Sequence, residues 1–450
     1  MESSKINLRK DVRHLTIPIF IEMLFVSLMG ATDTFMLSQY ADDAVAAVGV
    51  ANQLITFAFL VFQIINIGTT VMCSQYLGAG RRRKMEQVTA MALLLNLISG
   101  IIISVILSAG APFLLGVMGL KDDLMQHGLP YMQIAGAFAL FQALHLTISA
   151  SLRADHKAIY PMLVVILVNV VNIVGNYALI FGHFGVPAMG VEGAAIATNI
   201  SRLTAAVLLF AVLFARHIPL RRLVDAFRAP GRELKHEMHN LVRIGLPSAG
   251  ENMSYNAQQV VLTYFINLLG NDALTTRMYV VNAVLFVYIF CICVSQGAGI
   301  VIGHLVGDHR YHASYKLGWY ALRVSIYSTI VLSVCFACMG NQILSLLTTN
   351  PEIIALGCTV LVIDVFVEVG KVSNIFYTTV LRSVGDVNFP FYVGITVQWL
   401  VGVVFGWLFG LQFGWGLVGM WWAFFLDESL RGIIFIWRWH SKRWQQRSFV

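Results

Sequence analysis

The chain has 450 residues, 58% of them apolar and only 12% charged, about half the charged share of a soluble domain. That balance excludes a water-soluble globule and points to a polytopic membrane protein. The net charge of +7 does not make nucleic acid a partner, because the basic residues lie scattered between apolar stretches and form no single patch with interleaved aromatics.

At the N-terminus Lys5, Arg9, Lys10 and Arg13 precede an apolar run that contains Asp33 and is too long for the core of a cleaved signal. The first span is therefore expected to stay in the protein. A membrane-crossing helix needs about 20 apolar residues, and such runs fall at 15–37, 46–72, 87–117, 128–150, 160–182 and 192–214. A basic joint follows at 216–243, with Arg216, Arg221, Arg222, Arg228, Arg232, Lys235 and Arg243, broken by Pro219, Pro230 and Gly231. Six more runs fall at 244–268, 278–302, 317–340, 354–380, 390–410 and 417–437. The expected organisation is a first lobe at 1–215, a cytoplasmic linker at 216–243, and a second lobe at 244–450 ending in a short basic tail.

The two lobes repeat each other. Adding 229 carries Pro18 to Pro247, Glu22 to Glu251, Gly78 to Gly307, Leu152 and Arg153 to Leu381 and Arg382, and Pro161 to Pro390. The offset slips by three near the end, where Gly190-Val-Glu-Gly193 answers to Gly416-Leu-Val-Gly419. Connections on one side of the membrane, with both termini and the joint, hold 24 of the 30 Lys and Arg residues; the other side has only Lys121 and Arg277, and Arg202, Arg323, Lys371 and Arg431 lie within spans. Cytoplasmic loops hold the positive excess, so both termini are expected in the cytoplasm. An even number of spans per repeat relates the lobes by an axis along the membrane normal. The predicted fold is all-α: twelve transmembrane helices in two pseudo-symmetric six-helix lobes around a central cleft.

Ionisable groups at membrane depth cost at least about 2.5–3.5 kcal/mol each and need a partner or a wet cavity. Glu22 and Asp33 lie eleven residues, about three turns, apart and share one face of the first span. Glu22 either lines the cleft or reaches headgroup water; Asp33, with no basic neighbour at helical spacing, is the candidate ion-coupling acid. Gln53 and Asn282 are repeat mates, and Asn169, Asn172 and Asn176 form a stripe that either packs helices or lines a substrate path. Gln53, Asn172, Asn176 and Asn282 join Glu22 as cleft candidates. Glu251, with Glu368 and Lys371 one turn apart in the tenth span, forms a second ion-coupling candidate, expected as a Glu251–Lys371–Glu368 network. Asp427 precedes Arg431 by four residues, the favourable order for a structural ion pair, whereas Asp364 and Glu428 receive no role. Cys73, Cys291, Cys293, Cys335, Cys338 and Cys358 read as small hydrophobes without His or carboxylates at ligand spacing. His304, His309 and His312 read as solvent-facing members of a basic loop. No metal site is expected.

Several stretches resemble the multidrug and toxic compound extrusion (MATE) family. They are Gly-Ala-Thr-Asp33-Thr, Gln75-Tyr-Leu-Gly-Ala-Gly80, Asn172-Ile-Val-Gly-Asn-Tyr-Ala-Leu-Ile-Phe-Gly182, Gly190-Val-Glu-Gly-Ala-Ala-Ile-Ala-Thr198, Leu381-Arg-Ser-Val-Gly-Asp386, and a last helix from Asp427 through Arg431 to Arg438 and Trp444. The resemblance implies a cofactor-free efflux transporter that exchanges protons or sodium for organic, often cationic, compounds, with Asp33 as the first-lobe coupling acid. Two positions depart from the family's patterns. Asn176 stands where DinF-like members have a second acid, and Lys371 stands where NorM-like members have the tenth-span acid of a sodium site, while Glu251 lies one turn earlier than the seventh-span acid. Protons are therefore the expected coupling ion, with sodium the alternative. The partners expected are small organic substrates and the bilayer of a bacterial inner membrane, around a monomer. A flippase of related fold for lipid-linked intermediates is the rival reading. A membrane enzyme is disfavoured, because no HExxH, ligand cluster or nucleophile motif is present.

Overall fold

The structure, a computed structural model, describes residues 2–228 and 230–449, with side chains from residue 8 onward, so the side chain of Lys5 lies outside it. The described residues are mostly helical, without strands. The first half runs α1 (Glu2–Ser38), α2 (Asp42–Gly78), α3 (Arg82–Ala109), α4 (Ala111–Val117), α5 (Asp122–Ala137), α6 (Ala139–Ala154), α7 (Ile159–Phe181) and α8 (Gly190–Val212), followed by a short α9 (Leu220–Ala226). The second runs α10 (Gly231–Leu268), α11 (Asn271–Gly307), α12 (Tyr311–Cys338), α13 (Gly340–Ser345), α14 (Pro351–Ser383), α15 (Asn388–Val397), α16 (Val404–Trp407) and α17 (Gly416–His440).

Among the described residues nine helices are long and apolar enough to cross a membrane, and α5 with α6, bent by 47°, makes a tenth span. The two remaining expected spans are α10 and α17. The first is diluted by Glu251, Asn252, Asn256, Gln258 and Gln259, and the second carries Asp427, Glu428 and Arg431. Polar groups inside these helices thus lower their hydropathy without removing the helix. Isoleucine and valine side chains of α3, among them Ile98, Ile102 and Val105, are about half exposed, a surface suited to lipid and not to water.

Packing divides the chain into two units, one of Ile17–Gly245 and the other of Met1–Thr16 with Leu246–Val450. The limits differ from those expected from composition. The basic joint is no free linker: Glu237 accepts from the Tyr76 hydroxyl at 2.9 Å, and Lys84 reaches Glu233 at 3.0 Å, which ties the start of α10 to α2 and α3. Both limits also fall at repeat-equivalent places, just before Pro18 of α1 and Pro247 of α10. Glycines admit the two arms. A Cβ at Gly68 of α2 would lie 2.6 Å from the Leu241 carbonyl oxygen, and one at its repeat mate Gly297 of α11 would lie 2.5 Å from Thr16 Oγ1, so only glycine allows these helices to approach so closely.

The core of the first unit is rich in alanine, including Ala44, Ala51, Ala135, Ala139 and Ala143 packed with Phe62 and Met132. That of the second uses bulkier ones, including Leu262, Ile266, Val360, Met420 and Trp421. The span after α14 contains two π-helical segments, Gln398–Val403 and Leu408–Gln412. The Gln398 carbonyl accepts from Gln258 Nε2 at 3.0 Å, which satisfies a backbone group at membrane depth where no water can.

Candidate ion-coupling sites in the two units

In the first unit Asp33 lies in the penultimate turn of α1, half-buried, and accepts from Asn176 Nδ2 of α7 at 2.5 Å. The same amide reaches Asn172 Oδ1 at 3.3 Å, and both asparagines are fully buried. The three-and-four spacing puts Asn169, Asn172 and Asn176 on one face, but Asn169 turns back to the Val165 carbonyl of its own helix. Asp33 was expected to stand away from any fixed cation. Instead it lies within the field of Arg202 on α8, whose guanidinium donates to the Ala135 carbonyl at 2.8 Å. Helical spacing within α1 could not reveal a cation contributed by another helix.

Glu22, three turns before Asp33, does not reach headgroup water. It is buried and bound to Arg153 of α6 at 3.0 Å. Gln53 and Asn282 are exposed at equivalent places on α2 and α11.

The second unit repeats the Glu22–Arg153 pair as Glu251–Arg382, at 2.6 Å between α10 and α14, with Arg382 also near the Ser248 carbonyl at 3.4 Å. The expected Glu251–Lys371–Glu368 network is therefore corrected: Lys371 binds Glu368 at 2.6 Å and lies over the Tyr288 ring at 5.0 Å, but Glu251 is committed elsewhere. The reason is depth. Arg382 follows Lys371 on α14 by eleven residues, about 16 Å, and Glu251 sits at the level of the arginine. The 229-residue offset already contained this pair, since both of its members have repeat mates.

Asp427 and Arg431 form the expected pair, with Asp427 Oδ1 accepting from Nε at 3.0 Å and Oδ2 from Nη2 at 2.8 Å. Glu428, which received no role from sequence, completes it at 2.9 Å from the same guanidinium and accepts from Asn374 Nδ2 at 2.7 Å. Asp364, also passed over, lies one turn before Glu368 and accepts from Trp421 Nε1 at 2.9 Å, while its other oxygen has no hydrogen-bond partner among the described residues. The spacing of Asp364, Glu368 and Lys371 on one face of α14 was the available signal. The result is a buried set of four carboxylates, Asp364, Glu368, Asp427 and Glu428, around two cations, Lys371 and Arg431.

One further arrangement has the outline of hydrolytic chemistry. His217 stands 3.0 Å from Asp155 through Nδ1 and 2.9 Å from the Ser151 hydroxyl through Nε2. Burial opposes ionisation of Asp155, but hydrogen bonds from His217 and Lys157 outweigh it and hold the carboxyl below its ordinary range. Ser151 is fully buried and shares its hydroxyl with Thr89 at 2.8 Å, so a substrate cannot reach it, and the group ties helix ends together.

Comparison with known proteins places these sites in a family. The family profile described as MatE matches residues 18–178 and again 247–408, two segments whose starts are 229 residues apart. The chain belongs to the MATE family. An uncharacterized transporter, YisQ of Bacillus subtilis, is 36% identical over 97% of this chain and 95% of its own length. A probable multidrug resistance protein, NorM of Thermotoga maritima, is 24% identical over 98% of this chain and 94% of its own. Among solved structures, a MATE protein crystallised in a bent conformation superposes with a TM-score of 0.88 at 20% identity, covering 98% of this chain and 96% of that one. The MATE fold agrees with two helical repeats in which α10 and α17, despite their polar groups, are the further spans.

Proposed function

We propose that this MATE protein exports amphipathic or cationic organic compounds across the inner (plasma) membrane of a bacterium, by alternating access and in exchange for protons. It works as a monomer without a cofactor, and its termini and basic joint face the cytoplasm. Relatives named as multidrug resistance proteins support the substrate class. The observation that carries the coupling ion is the neutralisation of the second unit's acids by built-in cations. The Lys371 ammonium occupies Glu368 at 2.6 Å, and Arg382 occupies Glu251 at 2.6 Å, so a sodium ion entering there would meet like charge in a low-dielectric site. Asp33 differs: its hydrogen-bond partner, Asn176, is a neutral amide, and Arg202 acts on it through its field without an ion pair, so the carboxyl can gain and lose a proton without breaking a salt bridge.

Replacing Asp33 by Asn is expected to abolish export of fluorescent cationic dyes while leaving expression and thermal stability intact; dye export by the variant would remove Asp33 from the mechanism. The sidedness is read by cysteine labelling in a background without the six native cysteines. Membrane-impermeant reagent added to whole cells should modify cysteines placed at Asp42 and Asn350 but not at Arg228, and the opposite pattern would invert the topology.

A further inference from the structure

The basic joint carries more structure than a charged loop requires. Against the start of α3, α9 and the start of α10 enclose a cavity of about 780 Å³. Five cations line it: Arg82, Arg83, Lys84, Arg222 and Arg228. Its three carboxylates are each matched by one of them, Glu86 to Arg222 at 3.4 Å, Asp225 to Arg228 at 3.1 Å and Glu233 to Lys84 at 3.0 Å. Arg82 reaches out to Asp155 at 3.4 Å, and Arg83 has no ion pair among the described residues. The arginines of the first two pairs are 62% and 77% exposed, and such pairs exchange partners readily. The cavity therefore offers a surplus of guanidinium groups, the side chain best matched to a phosphate diester.

Beside the cavity, α9 presents a second and independent feature. Leu223 and Ala226 are buried, while Leu220, Val224 and Phe227, at i, i+4 and i+7, are 56%, 48% and 41% exposed on one face. Arg221 and Arg228 border that face and are exposed. An apolar stripe flanked by arginines and joined directly to a transmembrane span is the pattern of a segment lying in the membrane interface.

We infer that this cavity binds the headgroup of an anionic phospholipid, with the phosphate on Arg83, Arg222 and Arg228 and the acyl chains against Leu220, Val224 and Phe227. A soluble phosphate would satisfy the arginines and leave the apolar stripe in water, whereas a phospholipid covers both. The leaflet is the one the joint faces, cytoplasmic by the topology proposed above. The site itself does not depend on that sidedness or on the coupling ion.

The test uses the full chain in nanodiscs of equal parts phosphatidylcholine and phosphatidylglycerol, followed by native mass spectrometry of the lipids retained after release into detergent. The unmodified protein should retain phosphatidylglycerol over phosphatidylcholine at least about fivefold, given the attraction of clustered basic residues for anionic lipid. The preference should vanish in Arg83→Gln/Arg222→Gln/Arg228→Gln and weaken in Leu220→Ser/Val224→Ser/Phe227→Ser. All six side chains are exposed, so an unchanged melting temperature is expected and confirms folding. Lys442→Gln/Arg443→Gln, basic residues at the other end of the chain, should keep the preference. An undiminished preference in the triple arginine variant would overturn the proposal, as would displacement of phosphatidylglycerol by millimolar inorganic phosphate, which would mark a soluble-anion site.

Discussion

Lys371 stands where the family resemblance implies the tenth-span acid of a sodium site, and an ammonium at that depth has a cost. An ammonium buried in a span is tolerated because Glu368 lies 2.6 Å away, with the Tyr288 ring 5.0 Å beyond the charge. Removing one partner of such a pair leaves the other uncompensated, at about 3–5 kcal/mol. Lys371→Ala should therefore lower the melting temperature of the purified transporter, with sodium chloride restoring more of the loss than potassium chloride, because the vacated acids then have room for a small cation. Lys371→Arg should be milder. A Lys371→Ala protein as stable as its parent and indifferent to sodium would show that the ammonium does not fill a cation's place. Sequence named Lys371 and Glu368 because they lie on one helix. It misassigned Glu251, whose partner comes from another helix, and it overlooked Asp364, whose nearest cation, Lys371, is already engaged.

Among the elements, the long helices α1 and α10 each belong to both units. Each carries a proline, which removes one backbone hydrogen bond and weakens the helix locally, and each changes unit within a residue or two of it. The arm of α1 is seated by Gly297, where an added side chain would collide with Thr16 and Val12. Gly297→Leu should unseat that arm and destabilise the protein by a few kcal/mol, as overpacking does. Gly49, which has open space around it, should tolerate the same change. Equal melting temperatures for the two variants would contradict the packing described. The helices themselves were legible from hydrophobic runs, and even α10 and α17 were found by position despite their polar content. The swapped arms were not legible, because a charged stretch reads as solvent-facing until its partners are known: Glu237, in the joint, is only 2% exposed.

The whole molecule is a duplication, and the offset of 229 residues visible in the sequence recurs in the proline positions, in the glycines that seat the arms and in the Glu22–Arg153 and Glu251–Arg382 pairs. Against that symmetric frame the chemistry is asymmetric. The first unit holds Asp33 against neutral asparagine, and the second holds an ammonium among carboxylates. We infer that this asymmetry makes protons the driving ion. Everted membrane vesicles containing the unmodified protein allow the two gradients to be imposed separately while uptake of a fluorescent organic cation is followed. A proton gradient alone should drive uptake, and a sodium gradient with the pH difference collapsed should not; robust uptake under sodium alone would contradict proton coupling.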